Sequence, residues 1–340
     1  MKVYYSEAHR QHEPPFEVFD GGLRTPYLEN PDRMDRILNA LRRTNWAEIV
    51  EPKDFGLEPI YAVHDRGYVD FLASSWTEWL ASEAEDKSTL LPAAFALRRY
   101  PQKPTSLLGR AGYYMMDLSA CIVEGTYIAA LASANCALSA AAVAATGNQS
   151  TFALCRPPGH HAGKDYAGGY CFINNAAVAA NWLSTKRKVA LLDVDYHCGN
   201  GTQDIFYDRA DVLTISIHAD PHFEYPYYAG YAEETGVGPG LGFHKNFPLE
   251  KGTDDTRYLL ALEEALRLIR EFAPEYLVIS AGMDIYAEDP LGKIQVSTEG
   301  IGEIGKRISA LGLPTVIVME GGYNNEALGR NMVEFLSSFA

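Results

Sequence analysis

The sequence predicts an α/β fold, a multi-stranded and mostly parallel sheet with helices on both faces. Two observations carry this. Short apolar, β-branched runs alternate with longer amphipathic stretches, the pattern of strands buried on both sides and joined by crossover helices. Polar, titratable residues then collect where the strand candidates end, and in open parallel sheets ligands bind beyond the carboxyl ends of the strands. Strands are expected at 151–155, 189–194, 212–217, 276–280 and 314–319, and residues 1–5 are also strand-like. Helices are expected at 127–146, 175–183, 255–272, 299–311 and 325–339. No repeat of fixed period and no low-complexity linker divides the 340 residues, so one domain is the simpler organisation.

Composition narrows the class. Apolar residues make up 47% and charged residues 21%, the balance of a globular chain with a substantial core. The formal charge of −15 argues against a nucleic-acid binder, which needs a basic face. It suits a cationic substrate, although many soluble proteins are equally acidic. No basic leader followed by an apolar segment is visible, and no run approaches the roughly 18 apolar residues that cross a bilayer. The alanine-rich stretch 128–145 contains Ser133, Asn135 and Ser139 and reads as a buried helix. The five cysteines form no CxxC pair, which points to a reducing cytoplasm and buried thiols rather than a disulfide frame.

Residues 83–112 fit neither pattern. They hold three prolines and the scattered bases Arg98, Arg99, Lys103 and Arg110, with little periodicity. A loop this long is uncommon in a compact domain unless it has a task. It reads as an inserted loop shaping a site entrance or a contact between copies, or else as a surface excursion.

The chemistry gathers at four strand ends. In Asp193-Val194-Asp195-Tyr196-His197 the polar residues alternate, so they project to one side of an extended chain. A lone Asp-x-His is commonly a hydrogen-bonded core pair. With Asp193 beside it and Asp284 arriving from another strand end, a cation among these groups becomes the better reading. Oxygen and nitrogen ligands without thiolate suit a catalytic zinc or iron(II), and three protein ligands leave a position open. The rigid Arg156-Pro157-Pro158-Gly159 turn presents His160 and His161, which as neighbours must have different roles. Gly321-Gly322-Tyr323 offers a close backbone approach and a phenol able to donate to an oxyanion.

Together, Arg156-Pro157-Pro158-Gly159-His160-His161, Gly168-Gly169-Tyr170-Cys171-Phe172-Ile173-Asn174-Asn175, Asp193-Val194-Asp195-Tyr196-His197, Gly282-Met283-Asp284 with Asp289-Pro290, and Glu320-Gly321-Gly322-Tyr323 resemble the zinc-dependent histone deacetylase superfamily. The likeness runs from Asn30-Pro31-Asp32-Arg33 to the last helix candidate, and its spacing is most similar to the bacterial acetylpolyamine amidohydrolase branch. The resemblance implies the arginase–deacetylase fold and hydrolysis of the acetyl amide of small acetylated amines. It implies one zinc on Asp195, His197 and Asp284, His161 as general base, His160 as its electrostatic partner and Tyr323 as oxyanion donor. Asp193 would pair with His160 and Asn200 with His161, while Tyr170 and Tyr225 would wall a narrow tunnel. A structural potassium would take Asp193, Asp195 and Ser216 with the main-chain carbonyls of His197 and Ile217. A homodimer or larger homo-oligomer is the family expectation.

Three departures stand out. Cys198 occupies the place of a usual histidine; following a ligand by one residue, it should point away from the metal, with redox sensitivity an open option. Leu108 stands in the inserted loop where the polyamine branch carries an acid, placing it at the tunnel's far end. Ser119 falls at a second acidic position, with Asp117 close by. A binuclear manganese ureohydrolase would need carboxylates at Gly199 and Tyr286 and finds none. A non-catalytic acetyl-amine sensor would have lost His161, Tyr323 or a ligand, and all are present. Acetyl-lysine peptides or another small amide remain alternative substrates.

Overall fold

In the order of the chain, the elements are β1 (Lys2–Tyr4), β2 (Glu17–Phe19), β3 (Leu23–Thr25), α1 (Asp32–Leu41), β4 (Glu48–Val50), α2 (Glu58–Tyr61), α3 (Arg66–Ala81), α4 (Leu107–Tyr114), α5 (Thr126–Ala144) and β5 (Thr151–Ala153). The second half adds α6 (Asn175–Ser184), β6 (Val189–Asp193), α7 (Asn200–Phe206), β7 (Val212–Ala219), β8 (His244–Leu249), α8 (Asp255–Phe272), β9 (Tyr276–Ala281), α9 (Thr298–Ser309), β10 (Thr315–Met319) and α10 (Leu328–Ser337). This computed structural model describes residues 1–19, 22–98, 102–147, 149–185 and 187–340.

Eight strands form one sheet in the order β4-β1-β5-β10-β9-β6-β7-β8, and β2 pairs only with β3. Every pairing in the large sheet is parallel. Side-chain alternation sorts each strand onto two cores. Val189, Leu191, Val278, Val316 and Val318 pack with α5 and α6 on one face. Leu192, Ile279, Ile317 and Met319 pack with α1, α8, α9 and α10 on the other. The sheet is therefore covered on both faces, the arrangement expected from near-continuous apolar strands.

The five central strands and their helices lie where the apolar runs placed them, within a few residues. The sequence reading missed β4 and β8 at the sheet edges, where β4 is three residues long and β8 contains Pro248. It also missed α1 through α4 and α7. The α10 helix starts at Leu328 rather than 325, because Asn324 instead closes a turn, its side-chain oxygen accepting from Ala327 N–H at 3.1 Å. By length and apolarity α5 could cross a membrane, yet Ala129, Ala134, Ala137 and Ala141 are buried in the core against α6 and β5.

The segment 83–112 is more ordered than its composition suggested. Ser106 caps α4 by accepting from Gly109 N–H, and Leu90 bridges to Ile122. Ala96 N–H donates to the Gly112 carbonyl at 2.8 Å, and Arg98 pairs with Asp165 at 2.6 Å. Arg99 lies outside the described residues.

Candidate active site

Strands β5, β10, β9 and β6 are contiguous in the sheet, so the loops leaving their carboxyl ends meet at one edge. There Asp195 and His197 follow β6 and Asp284 follows β9, with one ligand atom from each lying within 4.8 Å of the others. His197 Nδ1 stands 3.3 Å from Asp195 Oδ1 and 3.2 Å from Asp284 Oδ2. Backbone amides fix both carboxylates: Gly321 N–H donates to Asp195 Oδ2 at 2.8 Å and Tyr196 N–H to Asp284 Oδ1 at 3.0 Å. The space between them is reserved. A Cβ on Gly282 would lie 1.9 Å from Asp195 Oδ2, and one on Gly321 would lie 2.3 Å from Asp284 Oδ2. Two buried carboxylates and an imidazole, aimed at one gap that glycines keep open, fit a divalent cation.

A second cluster, His160, Cys171 and Glu320, is close enough to hold a metal but is already committed. The Glu320 carboxylate accepts from Gly159 N–H at 2.6 Å and His160 N–H at 3.1 Å, which locks the turn carrying both histidines. Among the described residues, no further carboxylate extends the three-residue cradle. Gly199 is pressed against the Asp193 carboxylate, and position 286 is a buried tyrosine rather than an acid.

The two histidines have opposite electrostatics. His160 Nδ1 lies 2.9 Å from Asp193 Oδ2. Burial disfavours its charged form, yet Asp195 and Asp193 outweigh burial and push its pKa well above the usual range. His161 Nδ1 lies 2.7 Å from Asn200 Oδ1. Burial, reinforced by the neighbouring His160 and His197, holds its pKa well below the ordinary value. An amide oxygen only accepts, so neutral His161 carries its proton on Nδ1 and keeps a lone pair on Nε2.

Tyr323 is held by its backbone rather than by its hydroxyl. Asp289 Oδ2 accepts from Tyr323 N–H at 2.7 Å and Asn324 N–H at 3.1 Å. Fully buried Arg33 donates to the carbonyls of Gly322 and Glu320, both at 2.7 Å, and lies 4.8 Å from the Tyr323 ring centroid. Glu29 joins Arg33 and Arg156 in a buried ion cluster at 2.6 and 3.0 Å. These supports were not assigned from sequence. Arg33 and Asp289 appeared there only as motif letters, and nothing local marks a residue that acts on a loop almost 290 positions away.

A cavity of about 510 Å³ opens above the cradle, with His161, His197, Tyr170, Tyr225 and Tyr323 in its wall. Tyr170 sits at φ +66° after Gly169 at φ +52°, and its hydroxyl donates to Glu17, whose pKa burial pushes up to about 7. The Tyr225 hydroxyl donates to Asp117 Oδ2 at 2.7 Å, and its ring stands edge-on to His161. Val18 and Phe19 of β2 and Phe95 of the 83–112 segment line the cavity too. Leu108 does not. It lies in the first turn of α4, 47% exposed and outside the residues that line this cavity. Asp117 and Ser119, which follow α4, line the cavity.

Asp193 and Ser216 are register partners across β6 and β7, and Ile217 follows in the same buried strand. The Ser216 hydroxyl pairs with His218 Nδ1 at 2.7 Å. Cys198 is buried, packs toward Gly230 and has its thiol pKa raised well above normal by burial.

Residues 27–339 match the histone deacetylase domain family. The chain is 47% identical over 342 residues to acetylpolyamine amidohydrolase 2 of Pseudomonas aeruginosa, covering 100% of this chain and 98% of that protein. It is 42% identical over 343 residues to acetylpolyamine amidohydrolase of Mycoplana ramosa, covering both completely. The crystal structure of acetylpolyamine aminohydrolase from Burkholderia pseudomallei superposes with a TM-score of 0.96 at 42% identity, covering 100% of this chain and 98% of that one. With a match over nearly its whole length, and relatives aligned from end to end, the chain belongs to the histone deacetylase family.

Proposed function

We propose that this protein hydrolyses the acetyl amide of small acetylated amines, acetylpolyamines such as acetylputrescine and acetylcadaverine, to the free amine and acetate. The observation that carries this reading is a neutral, Nδ1-protonated His161 beside the Asp195–His197–Asp284 cradle, with Tyr323 on the same cavity wall. Zinc in that cradle, or iron(II) in its place, would supply Lewis acidity to the acetyl carbonyl and the attacking water.

The remaining work falls to the chain. His161 Nε2 takes a proton from water as the water oxygen bonds to the carbonyl carbon, and Asn200 steadies the ring through Nδ1. His160, charged through Asp193, offsets the negative charge that builds up beside it. The Tyr323 hydroxyl donates to the oxyanion on the acetyl carbon. The proton then passes to the amine nitrogen as the C–N bond breaks. Tyr170 and Tyr225 hold an unbranched chain between them and keep water from its flanks.

A structural potassium would take Asp193, Asp195 and Ser216 with the carbonyls of His197 and Ile217, a reading supported by the side-by-side register of Asp193 and Ser216. Assembly as a homodimer or larger homo-oligomer is supported by exposed Leu97 and Leu108, both on the 83–112 segment. Residence in a reducing cytoplasm is supported by five buried, unpaired cysteines.

The test is turnover of acetylputrescine, acetylcadaverine, acetylspermidine and an acetyl-lysine peptide by the purified protein, with and without chelator. Acetylated diamines are the expected best substrates. Preference for the peptide would overturn the substrate class, and activity surviving metal removal would overturn the mechanism.

A further inference from the structure

We propose that Glu224 receives the free ammonium end of the substrate, in exchange for Lys293, which occupies the site until substrate arrives; this rests on the acetylpolyamine reading above. Both residues line the cavity that contains His161, His197 and Tyr225. The Glu224 side chain is 8% exposed and the Lys293 side chain 43% exposed, with Lys293 Nζ 2.8 Å from Glu224 Oε2. The same Oε2 accepts from the Tyr196 hydroxyl at 2.6 Å, and Oε1 accepts from Tyr225 N–H at 3.2 Å. Glu224 is thus a nearly buried carboxylate fixed by two rigid neighbours and neutralised by one flexible one.

The occupant identifies the ligand. Lys293 presents a primary ammonium on an unbranched alkyl stem, the same group that ends an acetylated diamine. Its ammonium also stands 6.0 Å from the centroid of the Phe223 ring. A buried carboxylate left without a cation is costly, so Lys293 leaves readily only when another ammonium takes its place. A neutral tail leaves the pair intact and gains nothing from it. The exchange conserves charge and donor count, so it discriminates by the presence and reach of a tail cation.

The other acids near the cavity are committed to the protein. Asp117 Oδ2 accepts from the Tyr225 hydroxyl at 2.7 Å, the Ser119 hydroxyl at 2.9 Å and Gly169 N–H at 2.7 Å. Its Oδ1 accepts from Ser119 and Ala120 N–H at 3.0 and 3.3 Å. Glu17 is fully buried behind Tyr170, bonded to its hydroxyl and to Leu28 N–H. Only at Glu224, among the described acids in the cavity lining, is one partner both cationic and free to move.

The experiment compares kcat/KM for N-acetylcadaverine, for the neutral isostere N-hexylacetamide and for 6-acetamidohexanoate, in wild type, Glu224→Gln and Lys293→Met. The ratio of cationic to neutral amide cancels effects common to both substrates. Glu224→Gln is expected to lower that ratio about tenfold or more, the scale of a lost charged hydrogen bond. Lys293→Met is expected to raise it several-fold, mainly through KM, because the competing ammonium is gone. The Lys293 side chain is 43% exposed, so its variant tests the exchange even where Gln at 224 prevents folding. A ratio unchanged in Lys293→Met, or lowered by it, overturns the exchange. Wild-type preference for the anionic hexanoate, lost in Lys293→Met, also overturns it and makes Lys293 the reader. Wild type that cleaves none of the three amides refutes the function itself, an outcome distinct from the others.

Discussion

Replacing Tyr323 by Phe removes one oxygen and leaves its setting intact. The backbone N–H stays on Asp289 at 2.7 Å, Arg33 stays 4.8 Å from the ring centroid, and Tyr170 stays 5.7 Å away ring to ring. The hydroxyl has no hydrogen-bond partner among the described residues, so its loss strands nothing. Burial pushes the phenol pKa well above normal, so the wild-type group is a protonated donor throughout the assay range. What disappears is a contact made in the transition state. One such donor is worth on the order of 10²–10³ in kcat, or about 2.7–4 kcal/mol. Steady-state kinetics on acetylputrescine, with metal content measured on the same sample, should show kcat down by that factor with KM and bound metal little changed. Turnover within threefold of wild type would refute the oxyanion role. A loss of metal would show that Tyr323 acts on the cradle instead.

Three further outcomes are expected. Gly282→Ala forces a Cβ to 1.9 Å from Asp195 Oδ2 and 2.7 Å from Asp284 Oδ1, so the purified variant should fail to retain metal through dialysis while remaining folded; full metal content would contradict the reserved gap. Arg33→Met strands two buried carbonyls and leaves Glu29 with Arg156 alone, and should lower unfolding free energy in urea by about 3–5 kcal/mol; a loss under 1 kcal/mol would show the cluster to be dispensable. His64 donates from Nδ1 to the Gly163 carbonyl at 2.8 Å and accepts Asn174 N–H on Nε2 at 3.0 Å, and burial holds its pKa down at about 4. Its folded form binds fewer protons than the unfolded one between pH ~6.5 and ~4, so its stabilising contribution is full above that window and is lost as pH falls, by up to about 3 kcal/mol. The stability advantage of wild type over His64→Gln should shrink across that window, and a constant difference would refute the assignment.

How much of this was legible depended on range. The α8 helix was placed without error, from Asp255 to Phe272, because caps and apolar spacing are local properties. The edge strands β4 and β8 escaped because pairing with β1 and β7 defines them more than their own side chains do. At the site, Asp195, His197, His160, His161 and Tyr323 were legible because each belongs to a short motif at a strand end. Their supports were not. Arg33, Asp289 and the Glu224–Lys293 pair act across tens to hundreds of positions, and pattern within a window carries no record of such contacts.

The layered α/β architecture and the residue types of the donor set can be read along the chain. Period, turn chemistry and residue type are written along the chain. It took the folded chain to place Asp117 in the cavity wall and Leu108 on an exposed turn of α4. The fold also set His160 and His161 in opposite electrostatic surroundings and paired Glu224 with the partly exposed Lys293. Those properties belong to distances and burial between remote residues, which exist only once the sheet has brought its strand ends together.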